Sequence, residues 1–483
     1  MKTTIIALLA LAAIACNKDR GNYNYAPPTD IEISGIPADT LYRLDQYDTL
    51  RLAPILRRHG AATNTAIDTA ALAHEWKINY KTVSTSPNPA IVIRETPNKT
   101  TAYYPASLAI TDKNTGLKYY RDFRLTVATS LTNGLFILSR RADETANLSF
   151  QRRDRPAAPL VHDLFEAANP TFGQLGKNPK QIFYQGLMGV KLGITCAGGD
   201  HPIAILDPAT LALTRFYTAQ AIRGGYSGDF TPELLTLHVG GMIAGGGKIY
   251  SYNYMNNEAL YRPVPLVDGE RQFAPWADTN PSVDAYLWVA YDDKAGEFVT
   301  LEPGNDPLLY DKITPLLPAT AAQRFLAAGK YSSSSLRVIL RDTTDNTACL
   351  YGLDVTYTMD PSTYAVIVNT ALAPHTRVAG LVDASSACLY NTEYWYIATG
   401  NTLRRLHERG TAPLPWFTAP AGVITAIAPD IPGPSARRLF IATLDGDKSQ
   451  IHTIDIANGN PLGAPLEMTG RIVSMLAKGA WSY

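Results

Sequence analysis

Few residues in this chain have the types and spacing that chemistry needs. The eight histidines contain no i, i+4 pair and no His-Glu-x-x-His run, so helix-borne zinc ligation is not expected. Gly225-Tyr226-Ser227-Gly228-Asp229 approaches a nucleophile elbow. Its fifth residue is Asp rather than Gly, and no strand–turn–helix context surrounds it, so it reads as a Gly-rich loop. Gly245-Gly246-Gly247-Lys248 is followed by Ile249 where a phosphate-binding loop needs Ser or Thr, and it reads as a turn between strands. Asp445-Gly446-Asp447 lacks the spaced oxygens and terminal Glu of a calcium loop and reads as a hairpin turn. Asp292-Asp293 reads as an exposed turn. No catalytic residue, metal or cofactor is assigned on these patterns.

Aromatic residues outside the strands are the better pointer. Tyr226, Phe230, Phe273, Trp276 and Trp416 fall in segments rich in Gly, Pro and Asp. A flat ring can stack on a sugar or hold a peptide side chain, and loops commonly carry function. Tyr226, Phe273, Trp276 and Trp416 are therefore the expected ligand-binding residues. The competing reading is that they plug gaps between sheets.

The elements that must position these residues are strands. The chain has 483 residues, enough for two or three domains, and 46% of them are hydrophobic, enough for buried cores. Lys plus Arg and Asp plus Glu are 43 each, so no whole-chain field exists to hold nucleic acid. Residues 29–130 alternate as short strands; Trp76, Ile78 and Tyr80 are expected on one face, with Trp76 and Tyr119 in the core of a small β-sandwich. From 131 to 483 a unit recurs: apolar strand, polar turn, second strand. Its first instance pairs 135–140 with 147–152, and its last pairs 438–443 with 450–456. Seven such units at about 50 residues each predict a seven-bladed β-propeller, so the fold class is all-β. The last run, 470–477, has no partner after it and is expected to close the first blade. Short helices are expected at 162–168 and 318–328. Cys196, Cys349 and Cys388 match no metal or redox spacing. They read as three buried thiols, with one disulfide plus one thiol as the alternative.

The N-terminus sets the address. Lys2, the apolar run 5–15 and the small residues before Cys16 form a secretory signal peptide over 1–15, too short to remain as a spanning helix. Ala13-Ile14-Ala15-Cys16 resembles the lipobox of bacterial lipoproteins, with Ala13 where Leu is commoner. The resemblance implies cleavage before Cys16 and a lipid anchor of three fatty chains there, on a tether running 16–28. Cys16-Asn17-Lys18-Asp19 also resembles the export tag of Bacteroidetes lipoproteins, which implies the outer face of the outer membrane.

Cys16 through Tyr25, then Glu75-Trp76, Ile110-Thr111-Asp112 and Phe123-Arg124-Leu125-Thr126-Val127, resemble the PKD-like lipoproteins of Bacteroidetes. The resemblance implies an Ig-like sandwich ahead of a propeller-like body, encoded beside a SusC/SusD-type nutrient importer. It implies a non-enzymatic accessory that binds or passes on oligopeptides or oligosaccharides. The alternatives are a propeller hydrolase or lyase acting on a glycan, and a structural scaffold of the importer.

Overall fold

The computed structural model describes residues 31–478 apart from short internal stretches, the longest being 59–66, 280–287, 303–309 and 431–437. The signal segment, the tether and Cys16 lie outside the described residues. The chain divides into two compact units. The first takes 1–44, 48–93 and 98–127, and the second 45–47, 94–97 and 128–483.

In the first unit a five-stranded sheet runs in the order Leu41–Asp45, Lys118–Ala128, Tyr104–Asp112, Leu72–Ile78, Lys81–Ser84. Two smaller pairs, Ile31–Ser34 with Ile55–Arg58 and Thr49–Arg51 with Ala90–Val92, supply a second layer. Period-two alternation sends one face of each strand inward. Ile31, Leu50 and Ile91 therefore meet Trp76, Leu108 and Leu125 in one core. Trp76 is fully buried, and its indole N–H donates to the Ser86 carbonyl at 2.7 Å. Tyr80 departs from the expected face. The strand ends at Ile78, and Asn79 and Tyr80 take left-handed φ values of 47° and 65° in a hairpin turn, leaving Tyr80 83% exposed.

The second unit is a ring of sheets, a β-propeller. Seven sheets follow one another among the described residues. Their innermost strands, starting with Lys177–Gln185, Leu234–Leu237 and Phe273–Thr279, are each neighbours of the next. The series continues through Gln323–Lys330, Ala384–Tyr390 and Val423–Pro429 to Arg471–Lys478, which neighbours the first again. The last strand pairs antiparallel with Gly134–Arg140, so the C-terminal run completes the first sheet.

Packing explains the ring. Leu135-Phe136-Ile137-Leu138 is apolar at every position, with no alternation, because both sheet faces are covered. Leu135 and Ile137 pack on Ala426, Ala428 and Phe440 of the seventh sheet. Phe136 and Leu138 pack on Ile182, Leu192 and Ile194 of the second. The same division recurs around the ring, for instance Ile203 and Ile205 against Ile243 and Tyr250. Each sheet can bury its faces only on its two neighbours, so an open ring would expose two apolar faces.

The described hairpins agree with the expected pairings, and the short helix Leu164–Ala168 lies within the expected 162–168. The helix expected at 318–328 is not formed in its described part: Gln323–Lys330 is the innermost strand of the fifth sheet. Alanine-rich composition favours helix, but the pairing with Ser335–Asp342 overrides local propensity. Asp292 also corrects the sequence reading. It is fully buried, accepts the amides of Lys294 and Ala295, and pairs with Arg271 at 3.0 Å. Its turn is closed by a buried carboxylate, which is a structural use of the charge. The three described cysteines are free; Cys196 and Cys349 are buried and Cys388 is half-buried.

Lys478 ends the closing strand and is buried. Its Nζ donates to the Pro208 carbonyl at 3.0 Å and lies 5.5 Å from the Tyr184 ring centroid. Burial lowers its pKa from 10.5 to about 8, with Asp207 opposing the shift. Between these values the unfolded chain holds the extra proton and the folded chain does not. Stability lost to the buried ammonium at neutral pH is therefore recovered as pH rises from about 8 to about 10.5. In urea titrations, wild type should gain about 1–3 kcal/mol relative to Lys478→Met over that range. A gap that stays constant with pH would show that the ammonium is well solvated in the folded protein.

Candidate functional site

A cleft of about 660 Å³ opens where the ring is shut. Three turns and one strand end form it. The turn after Gly134–Arg140 brings Arg141 and Glu144, and the hairpin tip contributes Gly446 and Asp447. The entry to the short helix brings His162 and Asp163, and the closing strand brings Arg471.

Backbone geometry fixes the seam. Gly470 has φ 84°, and a Cβ there would lie 2.8 Å from the Arg140 carbonyl, so only glycine allows the closing strand to enter so near its partner. The Gly470 amide donates to the Asp447 carbonyl at 3.0 Å, and its carbonyl accepts from Ser449 Oγ at 2.7 Å. A bulge then shifts the register between Leu138 and Ser139. Bulges re-aim side chains. Beyond this one, Arg140 and Arg471 stand directly opposite each other, and both line the cleft.

Three side chains near the cleft are already engaged. Arg141 donates to Asp163 at 2.7 Å, to Glu166 at 2.9 Å and to the Ala146 carbonyl at 3.1 Å. Burial opposes its charge, but the two carboxylates hold its pKa above the ordinary value. Asp163 takes a left-handed φ of 55° at the helix start and gives its carboxylate to Arg141 instead of capping the helix. His162 Nδ1 lies 3.2 Å from Ser149 Oγ. That Ser is fully buried under the histidine and is not among the cleft-lining residues, so the contact orients the ring rather than exposing a nucleophile. Glu144 also has a left-handed φ, 69°, in the turn tied by Asp143 to the Thr145 amide and hydroxyl. Those Thr145 bonds lower the Asp143 pKa. Residues held at unfavourable φ collect at functional sites.

The aromatic residues chosen from sequence lie elsewhere. Phe273 is buried among Met242, Trp288 and Val299, and Trp276 is buried and stacked on Phe325 at 5.2 Å. Both serve the core, because their segment is the innermost strand Phe273–Thr279 and not a loop. Phe230 is buried edge-on to Tyr250. Tyr226 is half-buried and donates to the Asp229 carbonyl at 2.8 Å, a bond shared by Tyr250 at 3.0 Å. Trp416 is half-buried on an outer strand, with the Arg405 guanidinium 3.4 Å from its ring centroid and 4.7 Å from that of Tyr394. None of these five lines the cleft. Turn charges carry no periodic signature, so Gly446 and Asp447 were legible only as a hairpin turn, and His162 and Asp163 only as the start of a short helix. Among the described residues no group of three or more His, Cys, Asp or Glu could hold a metal ion, and no helix is long and apolar enough to cross a membrane.

Residues 16–179 match the PKD-like family, a span that covers the first unit from residue 16 onward and the start of the ring. No curated protein sequence matches the chain. A quinonprotein alcohol dehydrogenase-like protein from Bacteroides thetaiotaomicron superposes with TM-score 0.54 at 14% identity, over 93% of this chain and 99% of that one. An auxiliary nutrient binding protein from the same organism gives 0.36 at 10% identity, over 86% and 93%. A periplasmic gluconolactonase from Pseudomonas aeruginosa gives 0.34 at 12% identity, over 85% and 99%. The first of these is similar in fold across nearly the whole chain. The chain is thus an all-β protein in which a PKD-like segment leads into a propeller.

The buried positions of Phe273 and Trp276 have a measurable consequence. Trp276→Ala should destabilise the protein by about 3–5 kcal/mol in chemical denaturation. A change below about 1 kcal/mol would mean that the ring is exposed and free to meet a ligand.

Proposed function

We propose that this protein is a lipid-anchored binding protein on the outer face of the outer membrane. It serves a SusC/SusD-type importer by taking oligopeptides or oligosaccharides in the seam cleft. The observation that carries this reading is the cleft itself. It has the volume of a small-molecule site. Its walls hold charged groups that make no ion pair among the described residues: Arg140, Arg471, Glu144 and Asp447. Desolvating charged groups without partners is costly, so such groups favour a polar, hydrogen-bonding occupant over an apolar one.

The anchor and the address rest on Cys16 and the residues around it. The importer rests on the resemblance carried by residues 16–25, 75–76, 110–112 and 123–127. The buried position of Ser149 weighs against hydrolysis through the Ser149–His162 contact.

Full-length protein in detergent, incubated with peptide and glycan libraries and analysed by native mass spectrometry, tests the reading. The expected result is a bound peptide or oligosaccharide recovered without cleavage, and loss of binding in Arg471→Gln. Recovery of cleaved or eliminated products would establish the enzyme reading instead. Purification with the transporter but with no ligand from either library would establish the scaffold.

A further inference from the structure

Arg140 and Arg471 occupy directly opposite positions on adjacent antiparallel strands. Like charges so placed repel. A carboxylate placed between the two would relieve that repulsion. Here the Asp163 and Glu166 carboxylates are given to Arg141. Among the described residues the Arg140 side chain makes one polar contact, a 3.4 Å approach to Asn178 Oδ1, which is long for a hydrogen bond. Arg471 is exposed and has no ion-pair partner among the described residues.

The same cleft holds two carboxylates that are also unspent. Glu144 and Asp447 are exposed, both line the cleft, and neither makes an ion pair among the described residues. The strand pairing sets the positive pair on one wall, and the two hairpin turns carry the negative groups. No Trp, Tyr or Phe is among the lining residues, and the one ring there, the His162 imidazole, is tied to Ser149, so the described walls offer no broad apolar ring on which a sugar could stack. Two unspent cations, two unspent anions and no Trp, Tyr or Phe platform together describe a receptor for a ligand carrying both signs.

We infer that the seam cleft takes a short peptide with free termini, its carboxylate held by Arg140 and Arg471 and its ammonium facing Glu144 and Asp447. Two guanidinium forks around one carboxylate give charge-assisted bonds of fixed geometry, and the bound anion cancels the repulsion between the forks. This rests on the reading of the cleft as a binding site and narrows its ligand from two classes to one.

Equilibrium dialysis of the full-length protein tests this with four probes. They are a tripeptide pool with free termini, the same pool amidated at the C-terminus, the pool acetylated at the N-terminus, and maltotriose. The free pool should bind, and the amidated and acetylated pools should each bind about tenfold more weakly or worse. Arg140→Gln/Arg471→Gln should weaken the free pool by a similar factor and leave the amidated pool unchanged. Should the Gln pair fail to fold, the three pools on wild type still decide the matter. Equal binding of free and amidated peptides overturns the inference. Binding of maltotriose without peptides also overturns it, while leaving the cleft as a binding site. If neither class binds, both the inference and the binding-site reading fall.

Discussion

Backbone hydrogen bonds between Gly134–Arg140 and Arg471–Lys478 hold the second unit shut. The two strands lie at opposite ends of that unit's sequence, so their pairing closes a very long loop. Its entropic cost grows only slowly with length, and the return is large. Closure covers the faces presented by Leu135 and Ile137 on one side and by Ala426, Ala428 and Phe440 on the other. Without the last strand, the first and seventh sheets would expose these apolar side chains to water.

The candidate site follows from the same closure. Arg471 is the first residue of the closing strand, and Gly470 admits it against the Arg140 carbonyl. The bulge one step away sets the opposition of the two arginines. The cleft is therefore a property of the seam: among the described residues only the first sheet combines strands from the two ends of the unit. Stability and recognition share the same few residues. The glycine, the serine hydroxyl that holds its carbonyl and the carbonyl of Asp447 place the charges as well as the strand.

Much of the fold was legible because strands announce themselves. Runs such as Leu135–Leu138 and Trp288–Tyr291 are apolar at every position, and each is followed by an Asp- or Gly-bearing turn. The unpartnered last run pointed to closure. The helix misread over 318–328 shows the limit: an Ala-rich stretch has helical propensity, and only the neighbouring strand makes it extended. The site was much less legible. Phe273 and Trp276 looked like loop aromatics because Pro275 interrupts their strand, yet pairing with Trp288–Asp292 carries them into the core. Arg140 and Arg471 are more than three hundred residues apart, and nothing in either local sequence says that the other stands opposite. Register creates their meeting, and register is a tertiary property.

Hydrogen exchange on the full chain gives the most direct measure of the central claim. Strand closure predicts that the amides of 135–139 and 472–477 exchange as slowly as those of the interior strand Leu439–Thr443 and are released with them in one cooperative opening. Fast exchange of 472–477, with 439–443 still protected, would mean that the last strand is not what holds the ring, and the account of the seam and its cleft would be wrong.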